Sequence, residues 1–146
     1  MNVNDVNIQC PSLVALVVDD LPSIRWIISR RLKEMGFCNV IEARDGDNAI
    51  EILSVAAEKG LFVGLIVSDL HMPNIDGIEF LRLIKSFPEF QNIPFVLMGN
   101  SSPKWVSNGP RELNEISFVL KPINTESFRD KVNEALQKSP TGSPSV

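Results

Sequence analysis

Apolar residues along this chain fall into five short runs separated by stretches with helical periodicity. The runs lie at 13–18, 40–43, 64–68, 93–98 and 118–121. The first is apolar throughout, without the alternation of a half-exposed strand, and so suits a parallel strand covered on both faces. After Asp19, Asp20 and Leu21, Pro22 falls at a first helical position, where its missing N–H would be unpaired anyway. Ile24, Ile27, Ile28, Leu32 and Met35 then form a stripe that Gly36 ends. Arg25, Arg30, Arg31 and Lys33 are expected to face solvent, and Trp26 to sit at the stripe's edge or outside it.

A second helix is predicted over 47–59, with Ala49, Ile50, Leu53, Ala56 and Ala57 inward and Gly60 as its stop. Ile78, Leu81 and Ile84 mark a third, closed before Pro88. Asn124 can cap a last helix carrying Phe128, Val132, Ala135 and Leu136 on one face. Strict alternation also requires a helix within 101–115. Gly109 and Pro110 make a poor helix interior, so a short or broken helix is predicted there.

Five strand–helix units make an α/β protein, a doubly wound open sheet of five parallel strands flanked by helices. Residues 13–138 form the predicted domain. Residues 1–12, polar and Asn-rich, read as a flexible lead-in, and 139–146, rich in Ser and Pro, as a disordered tail or the start of a linker.

A chain of 146 residues with 44% hydrophobic and 22% charged positions fits one globular domain. The net charge of -4 argues against direct nucleic-acid binding, which needs a basic face. Cys10 and Cys38 are too few for a disulfide framework and are expected as free thiols in a reducing compartment. With His71 the sole histidine, a zinc site is disfavoured. Neither a signal peptide nor a membrane-spanning run is visible, so a cytoplasmic protein without membrane insertion is expected.

Chemistry enters at the strand ends. Asp19 and Asp20 follow the first strand, Asp69 the third, and Lys121 the fifth, and doubly wound sheets place their sites at that edge. Three converging carboxylates need a cation, and hard oxygen ligands suit Mg²⁺. Lys121 belongs there if an anionic phosphoryl group is held as well. The set points to phosphoryl transfer onto a carboxylate, with Asp69 the better nucleophile because Asp19 and Asp20 are adjacent and can share the metal.

The motifs Val17-Val18-Asp19-Asp20, Asp69-Leu70-His71-Met72-Pro73 with Asp76-Gly77, and Leu120-Lys121-Pro122 resemble the receiver domain of two-component response regulators over about residues 13–136. The resemblance implies a flavodoxin-like strand order of 2-1-3-4-5 and Asp69 as phosphoacceptor. The donor would be a histidine kinase or a histidine phosphotransfer protein. It implies Mg²⁺ on Asp20 and Asp69, with Asp19 acting through water and the His71 main-chain carbonyl as a further ligand, and Lys121 on the phosphoryl oxygens. Phe118 matches the family's aromatic switch position, although a buried core ring fits the residue equally well. Leu21, Pro22 and Ile24 would join the kinase-docking surface. A downstream effector or fused output domain is implied, and homodimerisation is left open.

Three positions depart from the family pattern. Gly99 stands where a Thr or Ser hydroxyl is usual, and Ser101 or Ser102 replaces it only if the loop bends. Asn100 stands where a small residue is usual, and His71, two beyond the acceptor, lies on the path of attacking water. Gly99 and the broken helix pattern within 101–115 support an alternative reading, a receiver-like interaction module that works without phosphorylation. A haloacid-dehalogenase-type phosphatase would need Asp-x-Asp after the first strand, which Asp19-Asp20-Leu21 does not supply.

Overall fold

The apolar runs form strands because both of their faces are covered. In the computed structural model, which describes residues 14–101 and 116–138, they are β1 (Val14–Val18), β2 (Asn39–Ala43), β3 (Leu65–Asp69), β4 (Phe95–Gly99) and β5 (Ser117–Leu120). All pair in parallel in the order β2-β1-β3-β4-β5. This is the doubly wound five-stranded sheet expected from the sequence. The expectations for 1–12, 102–115 and 139–146 fall outside the described residues.

Successive side chains along a strand point to opposite faces, so each apolar run feeds two cores. Leu16, Ile41, Ile66 and Leu97 pack on one face under α2 (Gly46–Glu58) and α3 (Gly77–Ser86), with Leu53, Phe80 and Ile84 opposite them. Val17, Val40, Val67 and Met98 pack on the other face under α1 (Pro22–Glu34) and α4 (Thr125–Lys138), against Ile28, Leu32, Phe128 and Val132. None of the helices is long and apolar enough to cross a membrane among the described residues.

Helix starts follow local hydrogen bonding. Pro22 opens α1. The Asp45 carboxylate accepts the Asn48 N–H at 2.8 Å, Asp76 accepts the Glu79 N–H at 2.8 Å, and Asn124 accepts the Ser127 N–H at 3.1 Å. Each satisfies a donor that helix geometry would otherwise leave unpaired. Gly36 and Gly60 end α1 and α2 with φ of 105° and 74°, a region L side chains rarely adopt.

Four expectations are corrected. Ile27 is exposed, outside the stripe that Ile28 and Leu32 make. Ala57 is exposed: α2 turns it out of the stripe that Ala49, Leu53 and Ala56 make. Arg25 is turned inward rather than to solvent, because Glu42 on β2 and a main-chain carbonyl offer it partners. Cys38 is disulfide-bonded rather than free. It directly precedes Asn39, the register partner of Val14 on β1. Trp26 is exposed, with the Arg30 guanidinium 4.7 Å from its ring centroid.

Gly77 sets how closely α3 approaches β3. A Cβ there would collide with the Asp69 carbonyl oxygen and stand 2.9 Å from the Leu70 Cα, both backbone atoms that cannot turn aside. Gly77→Ala should therefore destabilise the protein by about 1–3 kcal/mol, the usual scale of overpacking. Urea denaturation compared with an alanine substitution at Gly64, where a Cβ would meet nothing closer than the Val14 carbonyl oxygen at 3.7 Å, reads the difference.

Candidate functional site

The C-terminal ends of β1, β3 and β5 meet at one edge, each held by a main-chain hydrogen bond to a neighbouring strand. Asp19 N–H donates to the Ala43 carbonyl at 3.1 Å, Leu70 N–H to Met98 at 2.7 Å and Lys121 N–H to Gly99 at 2.9 Å. These bonds carry the sheet one residue past each strand and aim Asp19, Asp69 and Lys121 at common ground. Asp19, Asp20 and Asp69 each bring a carboxylate oxygen within 4.8 Å of the others. Asp19 and Asp69 are buried, and Asp20 is exposed at the mouth.

Lys121 closes the cluster. Its Nζ lies 2.9 Å from Asp69 Oδ1 and 3.6 Å from Asp19 Oδ2. One ammonium thus faces two buried carboxylates, and the third acid leaves the site with net negative charge. Asp19 Oδ1 accepts the Leu21 N–H at 2.9 Å, whereas Asp19 Oδ2 has no hydrogen-bond donor. A buried carboxylate oxygen left this way is costly unless a cation meets it. The donor set is all oxygen, so the residues fit a hard divalent cation.

Burial raises the Asp19 carboxyl above its ordinary range, opposed by the Leu21 N–H and reinforced by the charge on Asp69. In the cluster, Asp69 is further tied to its own turn, since Oδ1 also accepts the Leu70 N–H at 3.0 Å. Ser68, buried beside it, donates its hydroxyl to the Asp69 carbonyl at 3.0 Å.

The other predicted residues are distributed around this centre. His71 is exposed, and its ring is not part of the carboxylate cluster. Gly99 is buried at the end of β4, while Asn100 and Ser101 are exposed. Phe118 is half-buried and packs against the α2–α3 core. The space a side chain at Gly99 would take is already lined: its Cβ would stand 3.1 Å from the Phe118 Cζ and 3.1 Å from the Leu70 Cδ2. Leu21, Pro22 and Ile24 lie beside the cluster, with Leu21 and Pro22 exposed.

Two residues of the site neighbourhood escaped the sequence reading. Gly77 matched a motif, but its contact with the Asp69 backbone is visible only once α3 is docked. Arg25 sits one place off the apolar stripe, and nothing in its spacing marks it out. Its guanidinium donates to the Asp19 carbonyl at 2.7 Å.

Comparison with known proteins agrees with this geometry. The family model "Response regulator receiver domain" matches residues 15–133. The chain is 26% identical over 123 residues to the chemotaxis protein CheY of Pseudomonas aeruginosa, covering 84% of this chain and 95% of that one. Among solved structures it is similar to the signal receiver domain of a signal transduction histidine kinase from Syntrophus aciditrophicus, with 25% identity and a TM-score of 0.70 over 92% of this chain and 95% of that one. The bacteriophytochrome response regulator AtBRR gives 27% identity and a TM-score of 0.71, over 86% and 94% of the two chains.

The raised Asp19 carboxyl has a stability consequence. Between its ordinary 3.8 and the raised value, the folded protein holds a proton that the unfolded chain has released. Stability therefore falls as pH rises through that window and stays lower above it. In metal-free protein at neutral pH, Asp19→Asn should raise the Tm, because it removes the charge that burial disfavours. The gain should shrink as pH is lowered towards the ordinary aspartate range, which thermal melts at several pH values would follow.

Proposed function

This chain belongs to the response regulator receiver domain family, and from that premise we propose that Asp69 accepts a phosphoryl group from the phosphohistidine of a histidine kinase or histidine phosphotransfer protein. A carboxylate oxygen of Asp69 attacks phosphorus as the phosphorus–nitrogen bond of the donor breaks. The electron pair leaves with the imidazole, and an acyl phosphate remains on Asp69. The observation that carries this reading is Lys121, bridging Asp69 and Asp19 beside an oxygen of Asp19 that lacks a donor. A lysine already 2.9 Å from the attacking carboxylate can pass to a phosphoryl oxygen with a small side-chain movement.

Asp20, Asp69 and the His71 main-chain carbonyl are the proposed direct Mg²⁺ ligands, with Asp19 acting through water. The ion would supply the counter-charge for the transferring group. The deep placement of Asp69 keeps its carboxylate oriented and limits water around it. His71 stands at the rim, where it would meet water approaching the acyl phosphate. We place the protein in the cytoplasm, where such donors are charged. Its response would pass through altered contacts with an effector protein or a fused output domain.

A second reading, an interaction module that needs no phosphorylation, is favoured by one observation. Gly99 offers no hydroxyl to a phosphoryl group, and the space beside it is lined by Leu70 and Phe118. The intact acid–lysine set supports the first reading more strongly.

Incubation with acetyl phosphate and Mg²⁺ should add one phosphoryl mass to the protein, and Asp69→Asn should abolish the gain. Appreciable labelling of that variant in intact-mass spectra would refute the nucleophile assignment. Lys121→Ala should retain slow labelling while losing the phosphorylation-dependent change in partner binding. A wild type that binds Mg²⁺ and accepts phosphate from neither acetyl phosphate nor a phosphorylated histidine protein would favour the second reading.

A further inference from the structure

Asp19 and Asp20 are consecutive, and consecutive residues of a strand point to opposite faces. For both carboxylates to reach one cluster, the chain must leave strand geometry between them. The peptide joining them is therefore the corner on which the cluster is built. Three contacts hold that corner. Asp19 N–H donates to Ala43, Asp19 Oδ1 accepts from Leu21, and the Asp19 carbonyl accepts from Arg25 Nη1 at 2.7 Å.

The first two contacts fix Asp19 itself. The third fixes the plane of the Asp19–Asp20 peptide and hence the direction in which Asp20 departs. Arg25 is held in turn: its Nε donates to Glu42 Oε1 at 3.0 Å, with its side chain 16% exposed. Glu42 lies on β2 opposite Val17, one residue short of the β1 end. The planar guanidinium thus spans from a strand carboxylate to the corner carbonyl, a fork that a lysine cannot reproduce.

We infer that Arg25, clamped by Glu42, is a positioning residue that pre-sets the Asp19–Asp20 corner for the divalent cation. The inference rests on the metal-dependent reading of the site given above. Arg25 contributes through geometry and against its own charge, since a nearby guanidinium repels a cation. That opposition makes the two roles separable. Loss of Arg25 strengthens cation binding if only its charge matters, and weakens binding if its hold on the peptide matters.

The test uses the full chain with Arg25→Ala, Arg25→Lys and Glu42→Gln, titrated with Mg²⁺ by calorimetry. Arg25→Ala should raise the Mg²⁺ Kd about tenfold, the scale on which residues that orient metal ligands act. Acetyl phosphate labelling of that variant should slow at limiting Mg²⁺ and recover at saturating Mg²⁺. Arg25→Lys should fall between it and wild type. Glu42→Gln, which keeps an acceptor for Arg25 Nε, should stay near wild type.

A second readout needs no metal: the Leu21 amide, bonded to Asp19 Oδ1, should exchange with solvent about tenfold faster in metal-free Arg25→Ala by NMR, a local opening of the kind exchange reports. Tighter Mg²⁺ binding in Arg25→Ala, or a lowered Tm with unchanged Kd and unchanged Leu21 exchange, would overturn the inference. A wild type blind to Mg²⁺ would defeat the metal reading instead. The exchange comparison would then still decide whether Arg25 holds the corner.

Discussion

Like-charge repulsion among Asp19, Asp20 and Asp69 is the constraint around which this molecule is arranged. Their oxygens share a space 4.8 Å across, and two of the three residues are buried. A protein left to optimise stability would not gather them, since buried carboxylates are desolvated and repel. The parallel sheet forces the meeting by ending β1, β3 and β5 at one edge. Lys121 offsets part of the repulsion, and the Leu21 and Leu70 N–H groups offset more. The remainder is a standing demand for positive charge. The all-oxygen donor set suits a divalent cation as the answer to that demand.

The fold was largely legible because its strands are buried on both sides. An unbroken apolar run such as 13–18 leaves little else for that segment to be, and caps such as Asn124 follow from short-range bonding. Strand ends were displaced for two reasons: Asp69 continues the β3 ladder opposite Met98, and β4 begins at Phe95 rather than Ile93, just after Pro94, which has no N–H to donate. Periodicity also missed residues whose surroundings come from elsewhere in the chain. Arg25 is polar and off the stripe, so its pattern says solvent. Glu42 and the Asp19 carbonyl, brought in by β2 and β1, say otherwise.

The site residues divide along the same line. Asp19, Asp20, Asp69 and Lys121 stand at strand ends, where topology alone predicts convergence, and the structure brings them together. His71, Asn100 and Ser101 lie on loops beyond the strands, where spacing gives position without direction, and all three are exposed. Gly77 is a different case. Its contribution is the absence of a side chain, which lets α3 close against the backbone that carries Asp69.

The packing beside Gly99 has a mechanical meaning. A hydroxyl at that place would act as a tether, able to draw the loop after β4 towards Asp69. Here Leu70, the residue after Asp69, and Phe118 on β5 share the space above a bare α-carbon. Contacts of that kind are stiff when compressed and weak when stretched. With no hydroxyl at Gly99, Leu70 and Phe118 are related across it by packing alone, which resists compression and transmits little pull.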